Sequence, residues 1–259
     1  MKKYPHLQPS IIKNMKYFFQ IILLFILFSA YSCKNSTGPS SAPSDKDKKG
    51  KEVSIDCPLM KQGVNMDSLK PFAETEKYIE FLDRKDRETW QKPETVIESL
   101  NLKGIETIAD VGAGSGYFSF RFASKLKDGR VLAIDIDPEM VRHIHHKVMS
   151  ENIKNVQAIL STPDDPKIPE KVDIVFICDV LHHLKNRSEW LVKLSSELNI
   201  GTKLILIEFK EGNLPQGPPE SIKIPAKEMI TLVSGAGFDL IKKDTVMLPY
   251  QNYFEFTKQ

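Results

Sequence analysis

Short apolar runs alternate with amphipathic segments along most of this 259-residue chain. "TIADV", "RVLAIDI", "NVQAIL", "VDIVFIC" and "TKLILIEF" are rich in β-branched residues and bounded by turn residues. Each predicts a strand buried on both faces. Between them, "YFSFRFASKL", "PEMVRHIHHKVMS" and "RSEWLVKLSSEL" predict helices, the first with Phe118, Phe122 and Leu126 at i, i+4 and i+8. "PAKEMITLVSGAG" predicts a helix after the fifth strand, and "FDLIKKDTVML" and "NYFEFTK" predict two closing strands. Upstream, "AETEKYIEFLDRKDRETW" places Tyr78, Phe81 and Leu82 on one helical face. "KPETVIESLNL" starts a second helix, with Pro93 near its first turn and Val96, Ile97 and Leu100 inward. The alternation predicts an α/β fold: a doubly wound, mostly parallel seven-stranded sheet with helices on both faces. Ligands of such sheets bind at the carboxyl ends of the strands, where strand order reverses.

The N-terminus breaks this rhythm. Tyr17 to Tyr31 is apolar apart from Gln20 and Ser29, with Lys13 and Lys16 as a basic flank. The run is shorter than the roughly 20 residues of a spanning helix and matches a signal-peptide core. Small residues precede Cys33 in "SAYSC", as at a bacterial lipoprotein cleavage site, and Cys33 would become the acylated first residue. An uncleaved membrane anchor is the other reading, and Met15 is a second candidate start. The organisation expected is a targeting segment over 1–32, a flexible linker over 33–60, a helical segment covering the site over 61–103, and the main domain over 104–259. The localisation expected is an exported, membrane-associated lipoprotein. Composition adds little: 41% hydrophobic and 27% charged residues are ordinary for a globular protein. A net charge of +2 offers no field for nucleic acid, and three cysteines make no disulfide framework.

The candidate chemistry begins at "IADVGAGSGYFSF". Gly112, Gly114 and Gly116 lie between a strand and a helix, where a Cβ would block a turn or the approach of a ligand. A dinucleotide loop would read G-x-G-x-x-G, but here Tyr117 stands where the last glycine would be. Asp110 at this loop disfavours a pyrophosphate and favours a cationic head. Asp135 closes the next strand, where an acceptor can take hydrogen bonds from ribose hydroxyls. A ribose joined to a positively charged tail describes S-adenosyl-L-methionine. Other readings are Asp110 as a buried acceptor shaping the loop and Asp135 as the cap of the helix at Pro138.

The span from about Trp90 to Tyr253 resembles the class I S-adenosylmethionine-dependent methyltransferases of the small-molecule type. The resemblance rests on "ADVGAGSGYF", "AIDIDPEM", "VDIVFICDVLHHL" and the closing "AGFDLIKKD" and "YQNYFEF". It implies an antiparallel terminal hairpin, and Asp110, Gly112, Ala113, Gly114 and Gly116 around the methionine part. It also implies Asp135 at the ribose, Ile136 beside the adenine, and "STPDDP", with Asp164, over the adenine edge. The family often carries a Gly-Asp pair after its third strand, where this chain reads Leu160-Ser161.

Asp179, His182 and His183 follow the fourth strand and are candidates to contact the cofactor (Asp179) or to move a proton, with the two histidines not distinguished. Glu208 ends the fifth strand and reads equally as a ligand-edge group or a loop brace. His143 and His146 share a helix face, but no carboxylate or cysteine completes a metal set. Cys178 reads as a small core residue. Trp90, Tyr78, Phe81 and Tyr117 are candidate aromatic walls, each also an ordinary core residue. The function expected is methyl transfer to a small-molecule or lipid-like acceptor. The alternative is a non-catalytic lipoprotein that keeps the fold and binds a nucleoside or a partner.

Overall fold

The computed structural model describes Leu59, Val64, Leu69, Lys70 and residues 72–259. The targeting segment, Cys33, Cys57 and the alternative start at Met15 lie outside the described residues.

One seven-stranded sheet organises the fold, in the order β3-β2-β1-β4-β5-β7-β6. β1 (Thr107–Val111), β2 (Arg130–Asp135), β3 (Val156–Leu160), β4 (Ile174–Cys178) and β5 (Lys203–Phe209) are parallel neighbours. β7 (Gln251–Lys258) inserts between β5 and β6 (Phe238–Asp244), antiparallel to both. The sequence expectation of a mostly parallel sheet with an antiparallel terminal hairpin holds. The chain builds outward from β1 to β3, then returns to place β4 on the other side of β1. The carboxyl ends of β1 and β4 therefore face a switch point.

The strands are buried on both faces because helices cover both. Ile108, Val131, Ala133 and Phe176 pack against α3 (Pro93–Ser99), α4 (Tyr117–Lys125) and α5 (Pro138–Ser150). Leu132, Ile134, Val175 and Leu206 pack against α6 (Arg187–Glu197) and α7 (Ala226–Gly235). Phe118, Phe122 and Leu126 all turn inward as their spacing predicts. β6 is the exception. Its residues from Asp239 to Lys243 are exposed, and lysines on this edge oppose pairing with another chain.

The segment Ala73–Trp90 is not the single helix expected. α1 (Phe72–Leu82) stops at a turn, and α2 (Arg87–Trp90) follows. The Arg87 guanidinium caps the Leu82 carbonyl, which ends α1. Lys92 takes a left-handed φ of 45°, and Pro93 begins α3. A residue before proline is pushed out of the right-handed helical region, which separates α2 from α3. Tyr78 and Phe81 do not pack inward. They are 50% and 56% exposed and stack on each other at 6.4 Å. The reason is that α1 lies over the strand ends rather than on a sheet face, so only a narrow stripe of it is covered.

Two charged side chains hold the start of this helical cap. Glu139 accepts from the Lys70 backbone N–H at 2.5 Å, and Arg142 donates to the Lys70 carbonyl at 2.6 Å. Glu139 and Arg142 also pair with each other while buried, so each charge has a partner where water is excluded.

Phe122 is fully buried, with its ring 4.9 Å from Phe176 and 5.9 Å from Phe118. Phe122→Ala should lower unfolding free energy by about 3–5 kcal/mol, read from the denaturant midpoint at unchanged slope.

Candidate functional site

The glycine loop joins β1 to α4, and each glycine has a positive φ: 77° at Gly112, 56° at Gly114 and 82° at Gly116. The three have different jobs. A Cβ on Gly112 would lie 2.2 Å from Val180, and one on Gly116 would lie 2.5 Å from Phe120. Protein side chains already fill those spaces. A Cβ on Gly114 would meet only the flexible tip of Leu82, at 3.3 Å. Gly114 is therefore where the backbone is open to approach by a ligand.

Asp135 organises the loop from below. Its Oδ2 accepts from the Gly114 N–H at 2.7 Å, and its Oδ1 accepts from the Asp137 N–H at 2.8 Å. The Gly112 and Ala113 N–H groups both donate to the Ile134 carbonyl. Asp135 is not the helix cap. That role belongs to Asp137, which accepts from the Glu139 N–H at 2.9 Å. Burial raises the Asp135 carboxyl above its ordinary value, against these backbone hydrogen bonds. Ile136, beside it, is 56% exposed.

Asp110 is not an open carboxylate at the loop mouth. It is buried, and its Oδ2 accepts from the Ser119 hydroxyl of α4 at 2.5 Å. Burial pushes its carboxyl up to about 7, with the Asp135 charge adding to the rise and the Ser119 hydrogen bond opposing it. Asp164 is exposed. Its neighbour Asp165 braces the loop, pairing with Lys193 of α6 at 2.7 Å and accepting from the Lys167 N–H.

At the ends of β4 and β5 the two histidines separate. The His182 Nδ1–H donates to Glu208 at 2.7 Å, and both side chains are buried. Burial would lower the His182 pKa, but the Glu208 hydrogen bond and charge outweigh it, so the value is raised. His183 is exposed, and burial of part of its ring together with the His182 charge lowers its pKa. Cys178 packs against the core as expected, and its Sγ also accepts from Gln91 at 3.2 Å.

Asp179 takes a left-handed φ of 61° and is gripped by two glutamines. Gln91, following α2, donates to its Oδ2 at 3.1 Å. Gln251, starting β7, donates to Oδ1 at 2.7 Å and Oδ2 at 2.8 Å. Burial and the Glu208 charge push the Asp179 carboxyl up to about 7, while Gln251, His182 and Arg87 pull it down. Sequence reading missed both glutamines. They are far apart in the chain, and no motif spacing marks them.

The cap closes over this site. Ser115 donates to Asp83 at 2.5 Å. Tyr117 carries the Arg87 guanidinium at 3.7 Å and that of Arg121 at 3.8 Å, and its hydroxyl donates to Glu88 at 3.0 Å. Of the proposed aromatic walls, Trp90 and Tyr117 are buried, and Trp90 packs 5.7 Å from Phe209. Of the two histidines on one helix face, His143 is partly buried near the Asp83 charge and His146 is exposed. Among the described residues, no group of histidines, cysteines and carboxylates forms a metal site.

Comparison with known proteins agrees with this geometry. Residues 109–204 match the methyltransferase domain family. The chain is 25% identical over 107 residues to (S)-coclaurine N-methyltransferase of Thalictrum flavum subsp. glaucum, covering 39% of this chain and 30% of that one. It is 28% identical over 151 residues to tRNA U34 carboxymethyltransferase of Ruthia magnifica subsp. Calyptogena magnifica, covering 53% and 46%. The chain thus spans less than two thirds of these curated relatives. A crystal structure of a SAM dependent methyltransferase from Aquifex aeolicus superimposes with a TM-score of 0.65 at 25% identity, over 74% of this chain and all of that one.

The His182–Glu208 pair has a defined titration. His182 should titrate above the ordinary imidazole value of 6.5. Its pairing contributes stability fully below 6.5, and this is lost as pH rises through the folded midpoint. Glu208→Gln removes the charge but keeps the burial, so the midpoint should fall. Imidazole NMR titration reads both values.

Proposed function

We propose that this chain is an S-adenosylmethionine-dependent methyltransferase acting on a small-molecule or lipid-like acceptor. The observation that carries the reading is Asp135 beneath Gly114, at the carboxyl end of β2 and beside the switch point. A carboxylate offers about four acceptor positions, so the backbone N–H groups of Gly114, Ile136 and Asp137 still leave acceptor capacity for a ribose hydroxyl. The open backbone at Gly114 lies next to it, and exposed Ile136 offers an apolar edge for an adenine. The tyrosine in place of the last dinucleotide glycine supports a mononucleoside ligand over a nicotinamide one.

The bound cofactor supplies an electrophilic methyl group whose leaving thioether is neutral, so the protein's task is alignment, exclusion of water and removal of a proton from the acceptor. His182 is the better base of the two histidines. Glu208 fixes its Nδ1–H, which leaves Nε2 with the lone pair in the neutral ring. Asp110 and Asp179 lie at the strand ends, and a cationic head entering there would favour their charged forms.

We further propose that the domain is tethered to a membrane through lipidated Cys33, on the strength of the apolar run and the cysteine after it. Each buried CH₂ of an acyl chain adds roughly 0.8 kcal/mol, so more than one chain gives a stable anchor.

Titration calorimetry with S-adenosylmethionine and S-adenosylhomocysteine should show binding to the folded chain. No binding would overturn the enzyme reading. Asp135→Ala should weaken binding by about 1.5–3 kcal/mol, and an unchanged affinity would remove the ribose assignment. Radiolabelled palmitate should enter the wild-type chain in a bacterial host and not Cys33→Ser. Equal labelling of the two would refute the anchor.

A further inference from the structure

We infer that Gln91 is a positioning residue that the helical cap carries into the site, where it and Gln251 hold Asp179 aligned as an anion at the end of β4. The inference deepens the cofactor reading above and rests on it for the role of Asp179. Two amide nitrogens converge on one carboxylate, that of Gln251 lying within hydrogen-bond distance of both oxygens. A protonated acid has less acceptor capacity than the ion, so this arrangement favours the charged form.

The groups around Asp179 come from every element packed there: Glu208 on β5, His182 after β4, Arg87 on α2 and Cys178 on β4. Glu208 opposes the charge, and His182 and Arg87 support it. The amides add support without adding a competing charge.

The two glutamines are held differently. Gln251 belongs to the sheet. Its amide nitrogen is committed to Asp179, and its Oε1 is buried with no hydrogen-bond partner. That unmet acceptor beside the carboxylate is a place for a ligand N–H or O–H. Gln91 belongs to the cap. Its Oε1 accepts from Arg87 Nε at 2.7 Å, and Arg87 in turn stacks on Tyr117 behind the glycine loop. Gln91 reaches Asp179 from the cap and Gln251 reaches it from the sheet, so the full clasp forms only with α2 seated as it is here. Cap docking is thereby coupled to the charge of the site.

The test is carboxyl NMR titration of the full chain with labelled aspartate, the Asp179 signal being identified by its loss in Asp179→Asn. Gln91→Met and Gln251→Met should each raise the Asp179 midpoint by about one pH unit. Gln91→Asn, which withdraws the amide by one methylene, gives the same reading should the methionine variant fail to fold. Asp83→Ala frees the cap from Ser115 without touching Asp179, and it should raise the midpoint by a smaller amount. An unmoved midpoint in both glutamine variants overturns the inference, and an unmoved midpoint in Asp83→Ala overturns the coupling to the cap. Calorimetry at several pH values should show the pH dependence of S-adenosylmethionine binding shifting with the same midpoint. Shifted titrations with no cofactor binding to the wild type would remove the cofactor reading and leave the clasp standing.

Discussion

The hydrogen bond from the Gly114 N–H to the Asp135 carboxylate ties the end of β2 to the loop that leaves β1. The other oxygen of Asp135 holds the turn into α5 through Asp137. One buried carboxylate therefore sets the relation of two strand ends and two helix starts. A buried carboxylate is costly unless its lone pairs are met, and backbone N–H groups meet them here. These bonds restrain the glycine loop without a ligand, and such restraint reduces the entropy that binding would otherwise cost.

The cap depends on that loop. Leu82 lies over Gly114, Asp83 accepts from Ser115, and Arg87 stacks on Tyr117. These contacts of α1 and α2 with the loop are made by polar or charged groups and by the tip of Leu82. The apolar hold on the cap comes instead from Trp90 at the end of α2, which is buried against Phe209 and Tyr250. The entry point of the cap is held by the buried Glu139–Arg142 pair on both backbone groups of Lys70.

Electrostatics at the strand ends follow from crowding. Asp110, Asp135, Asp179 and Glu208 all sit at or near the carboxyl ends of strands, the first two and Glu208 buried and Asp179 half-buried. Desolvation raises the first three, and Arg87 and His182 bring positive charge to this cluster. A site with this balance gains when a cation enters, because the entering charge offsets a repulsion already present. The same balance explains why Asp179 needs neutral amide donors.

Much of the fold was legible because it rests on local patterns. Continuous β-branched runs, helical spacing of Phe118, Phe122 and Leu126, and glycines between strand and helix each report a property of neighbouring residues. The positions of Asp135 and the glycine loop followed from the strand–loop–helix order. The break at Leu82, the outward turn of Tyr78 and Phe81, and the burial of Asp110 did not follow, since each depends on a partner distant in the chain. Helical spacing says that Tyr78 and Phe81 share a face, but not whether anything covers it. "DVLHH" could not say which histidine matters until Glu208, twenty-six residues away from His182, came to pair with it. The sequence by itself determined the layers, the strand ends and the loop, because backbone propensity and burial periodicity are local. Only the tertiary structure decided the clasp of Gln91 and Gln251 on Asp179, because hydrogen bonds between remote side chains leave no period in the chain.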